Sequence, residues 1–128
     1  MLVIESWVIN DDSPIPVSSE VVPKEALRSR IDSGHLETWL TSSSGRSLAL
    51  VTNTERAMVV LLEGESDPGE HAVDTGAQGS SDGFVLSNGQ DDEYPDQDTV
   101  PIREAFRLVQ EIVATGAWPT DAHWVVER

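Results

Sequence analysis

Short apolar runs separated by polar punctuation follow one another along this chain, and the period of each run predicts an element. "LVIESWVI", residues 2–9, is rich in β-branched and aromatic residues and stops at Asn10-Asp11-Asp12-Ser13-Pro14, which predicts a strand followed by a loop. In "VVPKEALRSRIDSG" Ala26, Leu27 and Ile31 recur at helical spacing, Pro23 suits a first turn and Gly34 a stop. A short helix is expected over about 23–33. "HLETWLT", 35–41, alternates imperfectly and reads as a strand. "RSLALVT", 46–52, and "RAMVVLLEG", 56–64, flank Asn53-Thr54-Glu55 and predict a hairpin of largely buried strands at the centre of a sheet.

Between Glu63 and Gly83 the chain is heavy in Gly, Ser, Pro and acids, predicting a long excursion with one short edge strand at His71–Asp74. Residues 84–86, "FVL", followed by Asn88-Gly89 and a polar return, predict a second hairpin. A type I′ turn there would need positive φ at both central residues, and Pro95 should end the return strand or hold it at an edge. The clearest period belongs to "TVPIREAFRLVQEIVATG". Ile102, Ala105, Phe106, Val109, Ile112 and Val113 form one stripe, opposite Arg103, Glu104, Arg107, Gln110 and Glu111. With Thr99 as cap, Pro101 in the first turn and Gly116 as stop, a helix should span about 101–115 and bury its stripe on Leu48, Leu50, Val59 and Leu61. "DAHWVVER", 121–128, reads as a last strand after a Trp118-Pro119 turn, with Trp124 in the core. The pattern is that of one α+β domain over 1–128: a mainly antiparallel sheet of about five to seven short strands with two helices, the longer packed on one face.

Composition adds charge to this picture. The 128 residues hold 23 acids against 8 bases, a formal net charge of −15, and 38% apolar residues with four Trp, enough for a core. No Lys or Arg lies between Arg56 and Arg103, while eleven acids do, so the negative field is concentrated mid-chain. Such a field repels nucleic acid and anionic membranes and steers cationic partners inward, although an acidic surface also serves solubility alone. The chain has no cysteine, which removes disulfides and thiolate chemistry and fits a reducing compartment. The first ten residues lack a basic n-region and no apolar run approaches the length of a membrane span, so a cytoplasmic protein is expected.

Candidate chemistry is sparse. Asp91, Asp92, Glu93, Asp96 and Asp98 crowd around Tyr94, but a calcium loop counted from Asp91 puts Asp96 where Gly is needed and Ile102 where Glu is needed. His35, His71 and His123 are single and far apart, with no zinc spacing. The serine-rich stretches carry no nucleophile elbow, there is no Gly-Lys-Ser/Thr phosphate loop, and Lys24 is the one lysine. A carboxylate pair such as Asp92 with Asp96 stays open. Neither a cofactor, a metal nor an enzymatic activity is expected. Recognition remains: carboxylates for steering around Tyr94 as an exposed anchor, with Trp118 a further aromatic candidate.

The runs "ERAMVVLLEGESDPGEHAVD" and "GFVLSNGQDDEYPDQDTVPIREAFRLVQEIVATGAWPTDAHWV" resemble the Imm1 family of immunity proteins, which accompany bacterial polymorphic toxins, most often in actinobacteria. The resemblance spans Glu55 to Val125, with "EGESDPGEH" standing where the family pattern is closer to "GDPGEH". It implies a small cytoplasmic α+β protein that binds and silences a cognate toxin, commonly a nucleic-acid deaminase, with no catalytic residues of its own. Through the matching motif it implies binding roles for Asp91, Asp92, Glu93, Tyr94 and Trp118, to which the acidic stretch adds Asp96 and Asp98. A basic toxin would meet the acidic field that the charge argument reaches independently. An acidic regulatory or adaptor domain without a toxin, or an enzyme with an unrecognised site, are the alternatives.

Overall fold

The computed structural model describes residues 6–10, 14–17, 23–64, 67–86 and 88–126. In chain order these form β1 (Trp7–Ile9), β2 (Ile15–Val17), α1 (Pro23–Asp32), β3 (Glu37–Ser42), β4 (Ser47–Thr52), β5 (Arg56–Leu62), β6 (Glu70–Ala72), β7 (Ser80–Val85), β8 (Asp91–Pro95), a 3₁₀ turn (Asp96–Asp98), β9 (Val100–Pro101), α2 (Ile102–Thr115) and β10 (Trp124–Val126). The architecture is α+β. The main antiparallel sheet runs β10-β6-β5-β4-β3-β1-β2, with β9 pairing β5 beside it, and β7-β8 make a separate two-stranded sheet.

The β4–β5 hairpin forms the centre because its register puts like faces together. Leu48 lies opposite Leu61, Leu50 opposite Val59 and Thr52 opposite Ala57, so one face is apolar along its length. Those residues are fully buried under α2, which turns Ala105, Phe106, Leu108, Val109, Ile112 and Val113 toward the sheet. The stripe read from the sequence is therefore the buried one from Ala105 onward, widened by Leu108, while Ile102 at its start is half-buried. Gly116 ends α2 at φ 80, and its N–H donates to the Ile112 carbonyl at 2.7 Å. A left-handed residue is needed at that point, and glycine occupies it without steric cost. Helix α1 packs beside α2 on the same face, burying Leu27. Among the described residues no helix is long and apolar enough to cross a membrane.

Several local expectations are corrected. Residues 2–5 of the expected first strand lie outside the described residues, and its observed part, β1, pairs with β2, a strand the loop-like Pro-flanked sequence hid. The rung expected at His71–Asp74 is β6 at Glu70–Ala72, and it is no edge, because β10 pairs beyond it through Trp124↔Ala72 and Val125↔His71. The β7–β8 turn is not type I′. Gly89 has φ 88, but Asn88 is not left-handed, and the Gly89 N–H donates to the Leu86 carbonyl, the arrangement of a three-residue loop closed by a left-handed glycine. Thr99 does not cap α2: Pro101 holds the cap position without a side-chain bond, and the buried Thr99 hydroxyl is engaged by Arg56.

Candidate protein-binding surface

The face of the sheet turned away from the helices carries the acidic hairpin. Strand alternation puts Glu37 and Trp39 of β3, Ala49 and Val51 of β4, Met58 and Val60 of β5 and His71 of β6 on that face. The β7–β8 hairpin lies over one part of it. Phe84 of β7 is fully buried there, and the Tyr94 ring meets it edge-on with centroids 5.0 Å apart. Asn53, in the β4–β5 turn, donates its side-chain amide to the Asp82 carbonyl at 2.9 Å and ties the hairpin to the central strands.

Arg56 fixes the hairpin's base. Its Nη2 donates to Asp74 Oδ2 at 2.7 Å and to the carbonyls of Asp96 and Thr99 at 3.1 Å, while Nε donates to Thr99 Oγ1 at 2.7 Å. The Asp96 carboxylate stands 3.8 Å from Nε and accepts from the Ser81 hydroxyl. The cation nearest the acidic stretch thus gathers the 70s loop, the 3₁₀ turn and β9 into one network. Asp96 is part of that network rather than a free charge.

The remaining acids divide by the alternation of β8. Asp92 and Tyr94 turn inward, and Asp91, Glu93 and Pro95 turn to solvent. Tyr94 OH donates to Asp92 Oδ2 at 2.8 Å, and the Gln90 amide donates to Asp92 Oδ1 at 2.6 Å. Burial, then the Asp92 bond and charge, then the charge of Glu37, push the Tyr94 phenol up to about 12, so it stays neutral and donating at physiological pH. Glu93 accepts from Ser80 Oγ at 2.8 Å yet remains exposed, and Asp98 lies 3.2 Å from His71 Nε2. Tyr94, expected to be an exposed anchor, is half-buried.

Beside the hairpin the same face exposes Trp39 and Val125, with Ala49 buried and Val60 and His71 half-buried between them. Trp39, Ala49, Val60, His71 and Val125 are register partners in one cross-strand row. Trp39 is 38% exposed and donates Nε1 to Glu37 Oε2 at 3.3 Å, which brings an indole to the carboxylate whose charge reaches Tyr94. Sequence reasoning missed Trp39. The signal was there: within "ETWLT" it shares its face with Glu37 and Thr41, so an indole sits on the polar side of the strand.

Trp118 is not part of this surface. It is 8% exposed in the core cluster, donates Nε1 to Glu70 Oε1 at 2.8 Å and stacks on Trp124 at 5.8 Å. The expected roles of the two indoles are exchanged, for Trp124 is the exposed one of the pair at the sheet edge. No group of three or more His, Asp or Glu arranged to hold a metal ion occurs among the described residues. The fold and this surface define an α+β protein with an anionic hairpin laid on a sheet face that exposes an indole. No protein-family model matches the chain, and no curated protein matches it significantly.

Proposed function

We propose that the chain is an immunity-type binding protein that silences a basic toxin by covering its cationic cleft with this sheet face. It acts by occupation, without chemistry of its own. The observation that carries the reading is exposed Trp39 bonded to Glu37, a carboxylate whose charge reaches Tyr94 of the hairpin that turns Asp91 and Glu93 to solvent: an anchor to desolvate and charges to steer. The resemblance to the Imm1 family supports the same reading and favours a toxin that acts on nucleic acid, since such a toxin must present a basic cleft to its substrate.

The test is co-purification with the product of the adjacent gene, followed by association and dissociation rates at low and high salt. Asp91→Asn with Glu93→Gln should slow association several-fold at low salt and flatten its salt dependence, because exposed charges act chiefly on encounter. Trp39→Ala should mainly speed dissociation. Unchanged rates in both variants would remove this face from the interface, and capture of an acidic partner would remove the toxin class proposed.

A further inference from the structure

The bases of this acid-rich chain are not spread evenly. Lys24 and Arg28 lie on α1 and Arg103 on α2, all on the helix layer opposite the acidic hairpin. Among the described residues none of these three has a carboxylate partner, although acids outnumber bases 23 to 8 over the chain. Arg107 differs, being held by Glu104 and Asp121. The unpaired cations flank Phe106. Lys24, Arg103, Phe106, Arg107 and Gln110 line a cleft of about 230 Å³, and Arg28 with Ile102, Ile31 and Asp32 lines one of about 350 Å³ on the other side of the ring. The Arg28 guanidinium stands 5.7 Å from the Phe106 ring centroid. Gln110 Oε1 is buried and has no hydrogen-bond partner within the protein.

We infer that the groove between α1 and α2 binds an extended acidic peptide segment of a partner protein. Carboxylates spaced along such a segment meet Lys24, Arg103 and Arg28, its apolar side chains meet half-buried Ile102 and the outer edge of the Phe106 ring, and a backbone N–H reaches Gln110 Oε1 as that side chain turns outward. The last requirement selects a peptide: a phosphate or sulfate offers the cations an anion but gives the Gln110 oxygen no N–H donor. The net charge of −15 opposes an acidic partner only at long range, and salt at physiological strength screens it beyond about 8 Å. This inference is independent of the toxin reading, since it uses the opposite face.

The experiment is fluorescence anisotropy of an end-capped, labelled hexapeptide alternating Asp and Leu, against the intact chain, with the Asn-Leu counterpart as control. The acidic peptide should bind, weaken as salt rises, and exceed its neutral counterpart by roughly tenfold or more. Lys24→Glu with Arg103→Glu should abolish binding at an unchanged melting temperature, and Gln110→Met should weaken it roughly threefold without loss of stability. Equal binding of the two peptides, or full binding by the charge-reversed variant, would overturn the inference. So would preference for a single-stranded oligonucleotide, or concentration-dependent dimerisation that the charge reversal abolishes, which would give the groove to a second copy instead.

Discussion

Arg56→Ala tests whether the acidic hairpin is organised from within. The side chain is 20% exposed, and its loss strands Asp74, 35% exposed, and Asp96, 21% exposed, together with the Thr99 hydroxyl and two carbonyls. Removing one partner of a fully buried pair costs about 3–5 kcal/mol; water at the partly exposed carboxylates returns some of this, leaving about 2–4 kcal/mol. With an unfolding entropy near 2.1 cal/mol/K per residue, about 0.27 kcal/mol/K for the chain, the melting temperature should fall by about 7–15 °C. Arg56→Lys, a point charge without the planar fork, should lose about half as much. Calorimetry reads the global change, and hydrogen exchange locates it: the Asp74 amide, bonded to the Gln97 carbonyl, and the Asp96 amide, bonded to the Gly79 carbonyl, should lose protection before β4 and β5 do. An Arg56→Ala variant melting within about 2 °C of the parent would refute the network as the hairpin's anchor.

Phe106→Ala should cost about 3–5 kcal/mol, because the ring is buried in the core cluster on the inner face of α2, whereas Arg107→Ala should cost under about 1 kcal/mol; equal drops in melting temperature would contradict the packing. Trp118→Ala should destabilise far more than Trp124→Ala, by about 3–5 against about 1–2 kcal/mol, read by urea unfolding, and the reverse order would put the wrong indole in the core. Tyr94 is the one tyrosine, so absorbance of its phenolate gives an unambiguous titration, expected near pH 12 rather than 10. A folded pKa above the unfolded one contributes stability in full below pH 10 that is lost as pH rises toward 12; Asp92→Asn should bring the midpoint down, and a parent midpoint at 10 would refute the buried, bonded phenol.

The two helices and the central hairpin were legible because their signals are local. The α2 stripe repeats within the helix, and the apolar faces of β4 and β5 follow from alternation across one turn. Strands β2 and β9 were not legible, since three- and two-residue strands exist only through the neighbours they pair with. The acidic stretch shows the same division at the scale of single residues. Its density of charge was visible. Which carboxylates are free was not, because that depends on contacts from far along the chain: Asp96 is claimed by Arg56 and Ser81, while Asp92 is turned inward by the pleat. Only the face-by-face assignment shows that Asp91 and Glu93 remain outward, that Tyr94 is half-buried and that Trp39, which belongs to β3, is an exposed indole on the face the hairpin partly covers. A charge run is therefore legible from the sequence alone, whereas the aromatic side chain exposed near it comes from whichever strand the fold leaves uncovered, and in the interface proposed above the two would divide steering from anchoring between them.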